Sequence, residues 1–157
     1  MKKNQVLIVM GSESDPEVMN KAAEVLSNFG IGYEIVVSSA HRNPEKTRKL
    51  AKEAEKKGIK VIIAGAGMAA HLPGVIASHT NLPVIGVPLS SLPFKGVDSF
   101  FSILQMPSGV PVATMSVGNA GAKNAGILAA EILALSDDKL KKRLKSLRVK
   151  GFKGRKM

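Results

Sequence analysis

Three polar side chains, Ser39, His41 and Arg42, lie within four positions of one another, between an apolar run and a helix-like segment. An imidazole gives and takes a proton near neutral pH, which makes His41 a candidate general acid and base. A guanidinium can bind a phosphate group at two points, and Arg42 precedes Asn43 and Pro44, which are typical of a helix start. The stretch offers either this chemistry or an ordinary polar turn, depending on what lies beside it.

A second polar stretch, G-S-E-S-D at residues 11–15, follows the first apolar run of the chain. The hydroxyls of Ser12 and Ser14 lie near an expected helix N-terminus, where free backbone amides favour an anion such as phosphate. Asp15 would repel phosphate, but its carboxylate can accept hydrogen bonds from the hydroxyls of a sugar. The structural alternative is capping of the following helix by Ser14 or Asp15.

A third stretch, G-A-G-M-A-A-H at residues 65–71, is rich in small residues and contains the spacing G-x-G-x-x-A. This spacing imitates a dinucleotide-binding fingerprint, but it lies in the third strand–helix unit, and no acid follows about 20 residues later to bind a ribose. The small residues instead indicate backbone that packs against a flat ligand or another subunit. His71 either hydrogen-bonds such a ligand or caps and packs locally.

Composition limits the remaining kinds of site. The chain has no cysteine, which excludes disulfides, thiolate nucleophiles, and zinc or iron–sulfur sites built on cysteine. The histidines His41, His71 and His79 match no compact metal-binding spacing, so we predict neither a metal nor another cofactor. No apolar run reaches the ~18 residues of a membrane helix, and the lack of cysteine fits a reducing cytoplasm, which is the predicted location.

The formal net charge of +11 is concentrated at the end of the chain. Residues 139–157 hold ten of the 23 Lys and Arg residues and no Asp or Glu, whereas the rest of the chain is nearly neutral. Such a segment contacts RNA, an anionic surface or a neighbouring subunit, or is simply a solvated helix end. A nucleotide- or RNA-binding module that uses this basic tail is therefore the alternative function from another class, although nucleic acid is not the predicted partner.

The length of 157 residues predicts one domain, over residues 1–150, followed by a basic tail at residues 151–157. Short apolar runs, typical of strands buried on both faces, lie at Val6–Met10, Tyr33–Val37, Val61–Ala64, Val84–Val87 and Pro111–Val117. Helical patterns lie between them at residues 16–30, 44–58, 69–80 and 97–105, and after them at 121–135 and from Asp137, which is expected to cap the last helix.

Repeated strand–helix units of this kind predict a three-layer α/β/α sandwich with a central parallel sheet of about five strands, a flavodoxin- or Rossmann-like α/β fold. In such sheets, ligands bind beyond the carboxyl ends of the strands, where the strand order reverses. The stretches 11–15, 38–42 and 65–71 all follow strands. We therefore expect all three to open on one edge of the sheet and to form one site.

Five blocks of the sequence, in order and almost without gaps, resemble the 5-(carboxyamino)imidazole ribonucleotide mutase family, also called the catalytic subunit of phosphoribosylaminoimidazole carboxylase. The blocks are M-G-S-E-S-D, S-A-H-R, I-A-G-A-G-M-A-A-H-L-P-G, P-V-I-G-V-P and G-V-D-S-F-F-S-I-L-Q-M-P-S-G-V-P-V-A-T. The resemblance implies an isomerase of de novo purine biosynthesis that moves a carboxylate from the exocyclic amine to ring carbon 4 without ATP or metal. It also implies a homo-octamer with active sites at subunit contacts.

The resemblance also implies roles for residues of the three loops. By this resemblance, Ser12 and Asp15 are phosphate and ribose ligands, and Arg42 is a phosphate ligand. The resemblance implies that Ser39 and His41 lie beside the imidazole ring and the carboxylate of the substrate. Our hypothesis is that His41 is the general acid and base. The remaining substrate-binding residues form a wall of the pocket and are Gly67, Met68, Ala69, His71 and Leu72.

Two features of the sequence depart from the common pattern of the family. Met68 stands where many members have glycine, so the pocket or its backbone angles are expected to differ there. The segment Leu89–Lys95 also differs from the common pattern. A sister class carboxylates aminoimidazole ribonucleotide with free carbon dioxide. That class usually carries S-A-H-K and lacks A-A-H-L-P-G, so Arg42 and Ala69–Gly74 favour the mutase over this alternative.

Overall fold

The computed structural model describes residues 3–149, in which strands and helices alternate along most of the chain. The strands are β1 (Asn4–Met10), β2 (Gly32–Val37), β3 (Val61–Ala66), β4 (Val84–Pro88) and β5 (Ala113–Thr114). The helices are α1 (Pro16–Asn28), α2 (Pro44–Ala54), α3 (Leu72–Ala77), α4 (Val97–Leu104), α5 (Asn119–Ala134) and α6 (Asp138–Val149). The basic tail predicted at residues 151–157 lies outside the described residues.

The five strands form one parallel sheet in the order β2-β1-β3-β4-β5. The chain moves outward from β1 to β2 and then crosses back to β3 on the other side of β1. The strand order therefore reverses between β1 and β3, and loops that leave these strands separate to opposite sides and open a crevice. The predicted parallel α/β fold is confirmed, and its crevice lies between the first and third predicted loops.

Side chains alternate between the two faces of the sheet and fill two cores. Ile8 of β1 and Ile63 of β3 belong to a core that includes buried residues of α1, α5 and α6. Their neighbours Val9 and Ile62 belong to a second core, which includes buried residues of α2, α3 and α4. Because both faces are covered, the sheet is the middle of three layers. Within residues 3–149, no helix has the length and apolar content needed to span a membrane.

The helical spacing of the sequence predicts a buried face on α5 made of Ala125, Leu128, Ala129, Ile132 and Leu133, and the structure differs from it at two positions. Ala125, Ala129 and Leu133 are buried as expected, but Leu128 and Ile132 are only partly buried. The helix instead turns its small residues toward α1, and a Cβ at Gly126 would lie 2.9 Å from the carbonyl oxygen of Ala22. Small residues let the two helices approach closely, and this close contact decides the face more than side-chain hydrophobicity does.

Two predicted elements are shorter than the sequence indicated. The helix predicted over residues 69–80 covers only Leu72–Ala77, because the preceding residues turn through Met68 and because Pro73 fits only in a first helical turn. The strand predicted over Pro111–Val117 pairs regularly only at Ala113–Thr114. Pro111 has no amide hydrogen to donate to the neighbouring strand, and the chain turns away from the sheet at Gly118, whose φ is 75°.

Candidate active site

A cavity of about 580 Å³ opens at the carboxyl ends of β1, β3 and β4. Its walls come from four loops, at residues 11–15, 39–42, 66–72 and 89–91. The predicted site residues all line this cavity, namely Ser12, Asp15, Ser39, His41, Arg42, Gly67, Met68, Ala69, His71 and Leu72. The sheet therefore brings together the three loops that the sequence predicted to share one edge, while the roles of these residues stay predictions.

The first loop is held against the strand beside it. The amide of Gly11 donates a hydrogen bond to the carbonyl oxygen of Gly65 at 3.2 Å, which joins the first loop to β3. Asp15 occupies the position before α1, but its side chain does not cap the helix. Its Oδ2 instead accepts a hydrogen bond from the amide of Ser12 at 2.8 Å. The structural alternative in which the Asp15 side chain caps the helix is therefore wrong, and the carboxylate stays within the cavity wall.

The Asp15 carboxyl is in an unusual electrostatic environment. Burial raises its pKa above the usual range, although hydrogen bonds from Ser12 and Ser14 and the positive charge of Arg42 act in the opposite direction. These groups therefore compensate only part of the cost of removing the carboxylate from water. A ligand that donates hydroxyl hydrogen bonds to Asp15 would replace the lost water, so the site suits a sugar.

The second loop carries the cation of the site. Asn43 donates its amide hydrogen to the carbonyl oxygen of Ser39 at 2.8 Å, which closes a turn around His41 and Arg42. The Arg42 guanidinium reaches the first loop, and its Nη2 lies 3.4 Å from the carbonyl oxygen of Gly11. This single contact leaves most of the guanidinium donors free for an anion near Ser12. The arrangement suits a phosphate group between the first and second loops.

A smaller cavity of about 380 Å³ adjoins this side of the site and shares Ser12, Ser39 and Arg42 with it. It also contains Lys46, from the first turn of α2, whose Nζ donates to the carbonyl oxygen of Val37 at 2.7 Å. Lys46 is not among the site residues predicted from the sequence. Lys46 lies in the first turn of α2, directly after the loop that carries Arg42, and this place beside the predicted phosphate ligand was the available signal.

The third loop brings a second imidazole into the site. The Nε2 atom of His41 lies 2.7 Å from the Nδ1 atom of His71, and the two rings meet edge to face. The two residues are 30 positions apart in the chain, and neither the spacing nor the residue types predicted this contact. His79 lies elsewhere, in the wall of a different cavity. Across residues 3–149, no group of three or more His, Cys, Asp or Glu is arranged to hold a metal ion.

Met68 adopts an unusual backbone conformation in the third loop. Its φ is 53°, in the left-handed region that favours glycine, and its side chain is 64% exposed. Met68 therefore holds a backbone angle that glycine adopts without strain, and it is a strained residue in the cavity wall. The loop tolerates the side chain because it points out of the fold.

Replacing Met68 by glycine is expected to raise the free energy of unfolding by about 1 kcal/mol. A side chain at positive φ costs about 1–2 kcal/mol, and the greater freedom of glycine in the unfolded chain offsets part of that gain. Little packing is lost, because the side chain is mostly exposed. Urea denaturation measures the change, with Met68→Ala as the control that shortens the side chain and keeps the strain. Equal stability of the two variants would contradict the explanation.

The fourth loop, Leu89–Ser91, was not predicted as part of the site. It follows β4 at the same edge of the sheet, so the expectation that ligands bind beyond the carboxyl ends of the strands applied to it as well. It packs closely on the third loop, where a Cβ at Gly67 would lie 3.4 Å from the carbonyl oxygen of Leu89. The hydroxyl of Ser91 is buried and has no hydrogen-bond partner among the described residues.

A larger cavity, of about 870 Å³, lies near the start of β4 and at residues 109–113. Its ionisable side chains are Lys52 and His79. It lies at the amino end of β4, opposite to the edge where ligands bind in sheets of this kind. The cavity of about 580 Å³ lies at the carboxyl ends of the strands and contains a carboxylate, a guanidinium and two imidazoles, so we assign the site there.

Most of this chain is similar in sequence to known proteins. The family model for AIR carboxylase matches residues 5–152. The N5-carboxyaminoimidazole ribonucleotide mutase of Thermotoga maritima is 57% identical over 141 residues, which cover 90% of this chain and 81% of the relative. The mutase of the same name from Bacillus subtilis is 56% identical over 137 residues, 87% of this chain and 85% of the relative.

A solved structure supports the same relationship. The crystal structure of Treponema denticola PurE matches the fold with a TM-score of 0.82 and 36% sequence identity. The match covers 91% of this chain and 88% of that chain. The family match at residues 5–152 spans all five strands, both helical layers and the four loops of the cavity.

Proposed function

The chain belongs to the AIR carboxylase family, and from this membership we infer that it catalyses the reaction of an N5-carboxyaminoimidazole ribonucleotide mutase, an isomerase of purine biosynthesis. It converts 5-carboxyamino-1-(5-phosphoribosyl)imidazole to 5-amino-1-(5-phosphoribosyl)imidazole-4-carboxylate. The observation that carries this inference is the identity of more than half of the aligned residues to mutases over 90% of the chain. The substrate is therefore a small ribonucleotide.

The cavity has a suitable group for each part of this nucleotide. Arg42 and Ser12 bind the phosphate, because a guanidinium and a hydroxyl meet there beside the N-termini of two helices. Asp15 accepts hydrogen bonds from the ribose hydroxyls. The imidazole ring and its carboxylate then lie toward Ser39, His41 and the third loop, whose small residues permit close packing on a flat ring.

The first half of the reaction needs an acid. A carbamate loses carbon dioxide readily once its nitrogen is protonated. His41, as the imidazolium, gives its proton to the exocyclic nitrogen, the bond between that nitrogen and the carboxylate carbon breaks, and the electron pair stays on the nitrogen. The products of this half-reaction are carbon dioxide, the aminoimidazole and a neutral His41.

The second half of the reaction needs a base at the same place. Ring carbon 4, made nucleophilic by the amine, attacks the retained carbon dioxide and forms the new carbon–carbon bond. Neutral His41 then removes the hydrogen from carbon 4, which restores both the aromatic ring and the imidazolium. Buried apolar side chains of Ala70 and Leu72 line the cavity beside His41 and help to retain the gas.

The closest alternative is the direct carboxylation of aminoimidazole ribonucleotide with free carbon dioxide, which the name of the family model itself suggests. Supplying each substrate in turn, without ATP or added metal, and following the 4-carboxylate by ultraviolet absorbance separates the two reactions. We expect turnover with the carboxyamino substrate, and little product from aminoimidazole ribonucleotide at low bicarbonate. The reverse preference would overturn the mutase assignment.

We also propose that the protein assembles as a homo-octamer and works in the cytoplasm. An apolar face supports assembly, because Val97, Phe101 and Leu104 lie exposed at spacings of four and three residues along α4, and Leu92 and Phe94 precede them. Exposed apolar faces of this kind mark contacts between proteins. The face begins directly after the fourth loop of the cavity, so a second copy of this chain docked on it would lie beside the active site.

Replacing Phe101 by glutamate is expected to dissociate the assembly, because each contact would bury an unpaired carboxylate. Light scattering after size exclusion measures the mass. The matched control is Leu135→Glu, which introduces the same charge at an apolar residue that is 88% exposed after the end of α5. A wild-type protein of monomer mass, or an assembly that tolerates Phe101→Glu, would contradict this proposal.

A further inference from the structure

The bond between His41 and His71 constrains the positions of protons in the site. Only one hydrogen can lie between His41 Nε2 and His71 Nδ1, which are 2.7 Å apart. When both rings are neutral, either His41 carries its hydrogen on Nε2 and donates it, or His71 carries its hydrogen on Nδ1 and donates it. The first arrangement leaves the Nδ1 lone pair of His41 free as a base. The second places the hydrogen of His41 on Nδ1.

His71 is well placed to hold the His41 ring. Within residues 3–149, His71 is the only hydrogen-bond partner of the His41 side chain. His71 comes directly before α3, whose residues Leu72 and Pro73 are buried, so its backbone is anchored to the second core. The other ionisable side chains that line the cavity are Asp15 and Arg42. Both have contacts in the first loop rather than with His41.

We propose that His71 is a positioning residue, which accepts a hydrogen bond from Nε2–H of His41 and so leaves Nδ1 of His41 as the atom that exchanges a proton with the substrate. This proposal rests on the mutase reaction inferred above. An acid–base shuttle needs one nitrogen that gains and loses the proton and another whose hydrogen stays in place. A fixed Nε2–H orients the ring through both half-reactions and keeps the reactive nitrogen available.

An imidazole suits this positioning role better than a carboxylate would. A carboxylate at the place of His71 would favour a permanently charged His41, which is a poor base for the second half of the reaction. A neutral imidazole accepts the same hydrogen bond without stabilising the cation to that degree. The partner therefore orients His41 while leaving it able to hold and to release the second proton.

Three substitutions of His71 separate its hydrogen bond from its shape. In His71→Asn, the side-chain carbonyl oxygen can take the place of Nδ1 and accept the hydrogen bond from His41. His71→Gln places its amide near the position of Nε2 instead, and His71→Phe keeps a ring without an acceptor. We expect kcat to fall about 10–100-fold in the phenylalanine and glutamine variants, with KM changed less than threefold, and to recover largely in the asparagine variant. Loss of substrate contact alone would raise KM instead.

The position of the hydrogen can be measured without substrate. Nitrogen-15 NMR of histidine-labelled wild-type protein distinguishes Nε2–H from Nδ1–H in neutral rings, with His41→Asn used to assign the His41 signals. We expect Nε2–H for His41 in the wild type and in His71→Asn, and a mixture of both forms in His71→Phe. Neutral His41 with its hydrogen on Nδ1 in the wild type, or unchanged kcat in a folded His71→Phe protein, would overturn the proposal. Absence of wild-type turnover would count against the mutase assignment instead.

Discussion

Replacing His41 by asparagine is expected to lower kcat about 10²–10⁴-fold, which is the usual contribution of a positioned acid–base group. The same imidazole acts in both half-reactions of the proposed mechanism, so neither half proceeds at its normal rate without it. Affinity for the nucleotide is expected to change little, because the proposed phosphate and ribose contacts are with the first loop and with Arg42. Steady-state turnover of the carboxyamino substrate gives kcat, and calorimetric titration with the product nucleotide gives the affinity.

A matched control for this experiment is His79→Asn, since His79 lines the other cavity and lies outside the proposed machinery. It makes the same chemical change in the same fold, so we expect wild-type kcat and KM. Thermal unfolding of both variants checks that the fold is intact. A kcat close to the wild-type value in a folded His41→Asn protein would remove His41 from the mechanism.

The second large effect is expected from Arg42→Leu, which should weaken binding of the nucleotide about 100-fold with a smaller change in kcat. A hydrogen bond to a charged group contributes about 1.5–3 kcal/mol, and each 1.4 kcal/mol corresponds to a factor of ten in affinity. Arg42→Lys keeps the charge but loses the planar pair of donors, so we expect an intermediate loss. Calorimetric titration with the product nucleotide measures all three proteins.

Arg48→Leu is the matched control for the Arg42 variant. Arg48 lies on the exposed face of α2, and its Nη2 is 2.7 Å from Glu45, so the substitution removes a surface ion pair and the same net charge. An exposed pair of this kind contributes little to stability, and no part of it reaches the cavity. Equal losses of affinity in the two variants would show that net charge, rather than a phosphate contact, explains the effect.

Much of the architecture followed from the sequence because parallel strands have a strong local signal. The buried runs that start at Val6, Val61 and Val84 are almost continuously apolar, as strands covered on both faces must be. Once these strands were assigned, the rule that ligands bind beyond the carboxyl ends of parallel strands located three of the four loops of the cavity. The edge strand β5 was poorly predicted because Pro111 cannot donate to the ladder and the chain turns away at Gly118, so only Ala113 and Thr114 pair with β4.

Details of the site depend on contacts that no local pattern contains. The side chain of Asp15 had two compatible uses, as a cap or within the loop, and only the fold selects between them. The contact of His41 with His71 joins loops that are far apart in the chain. Lys46 and the fourth loop follow a site loop and a strand end in the sequence, but it is the shape of the cavity that shows them as neighbours of the site. Residue types thus indicated the chemistry, and the tertiary structure decided its geometry.

The most direct test of the mutase account follows the carboxylate carbon itself. Wild-type protein is given 5-carboxyamino-1-(5-phosphoribosyl)imidazole labelled with carbon-13 in its carboxylate, in the presence of excess unlabelled bicarbonate and without ATP or added metal. Mass spectrometry then measures the label in the 4-carboxylate of the product. We expect the product to keep most of the label, because in the proposed mechanism the released carbon dioxide stays in the cavity until ring carbon 4 attacks it. A product whose carboxylate comes mainly from the unlabelled bicarbonate would contradict it.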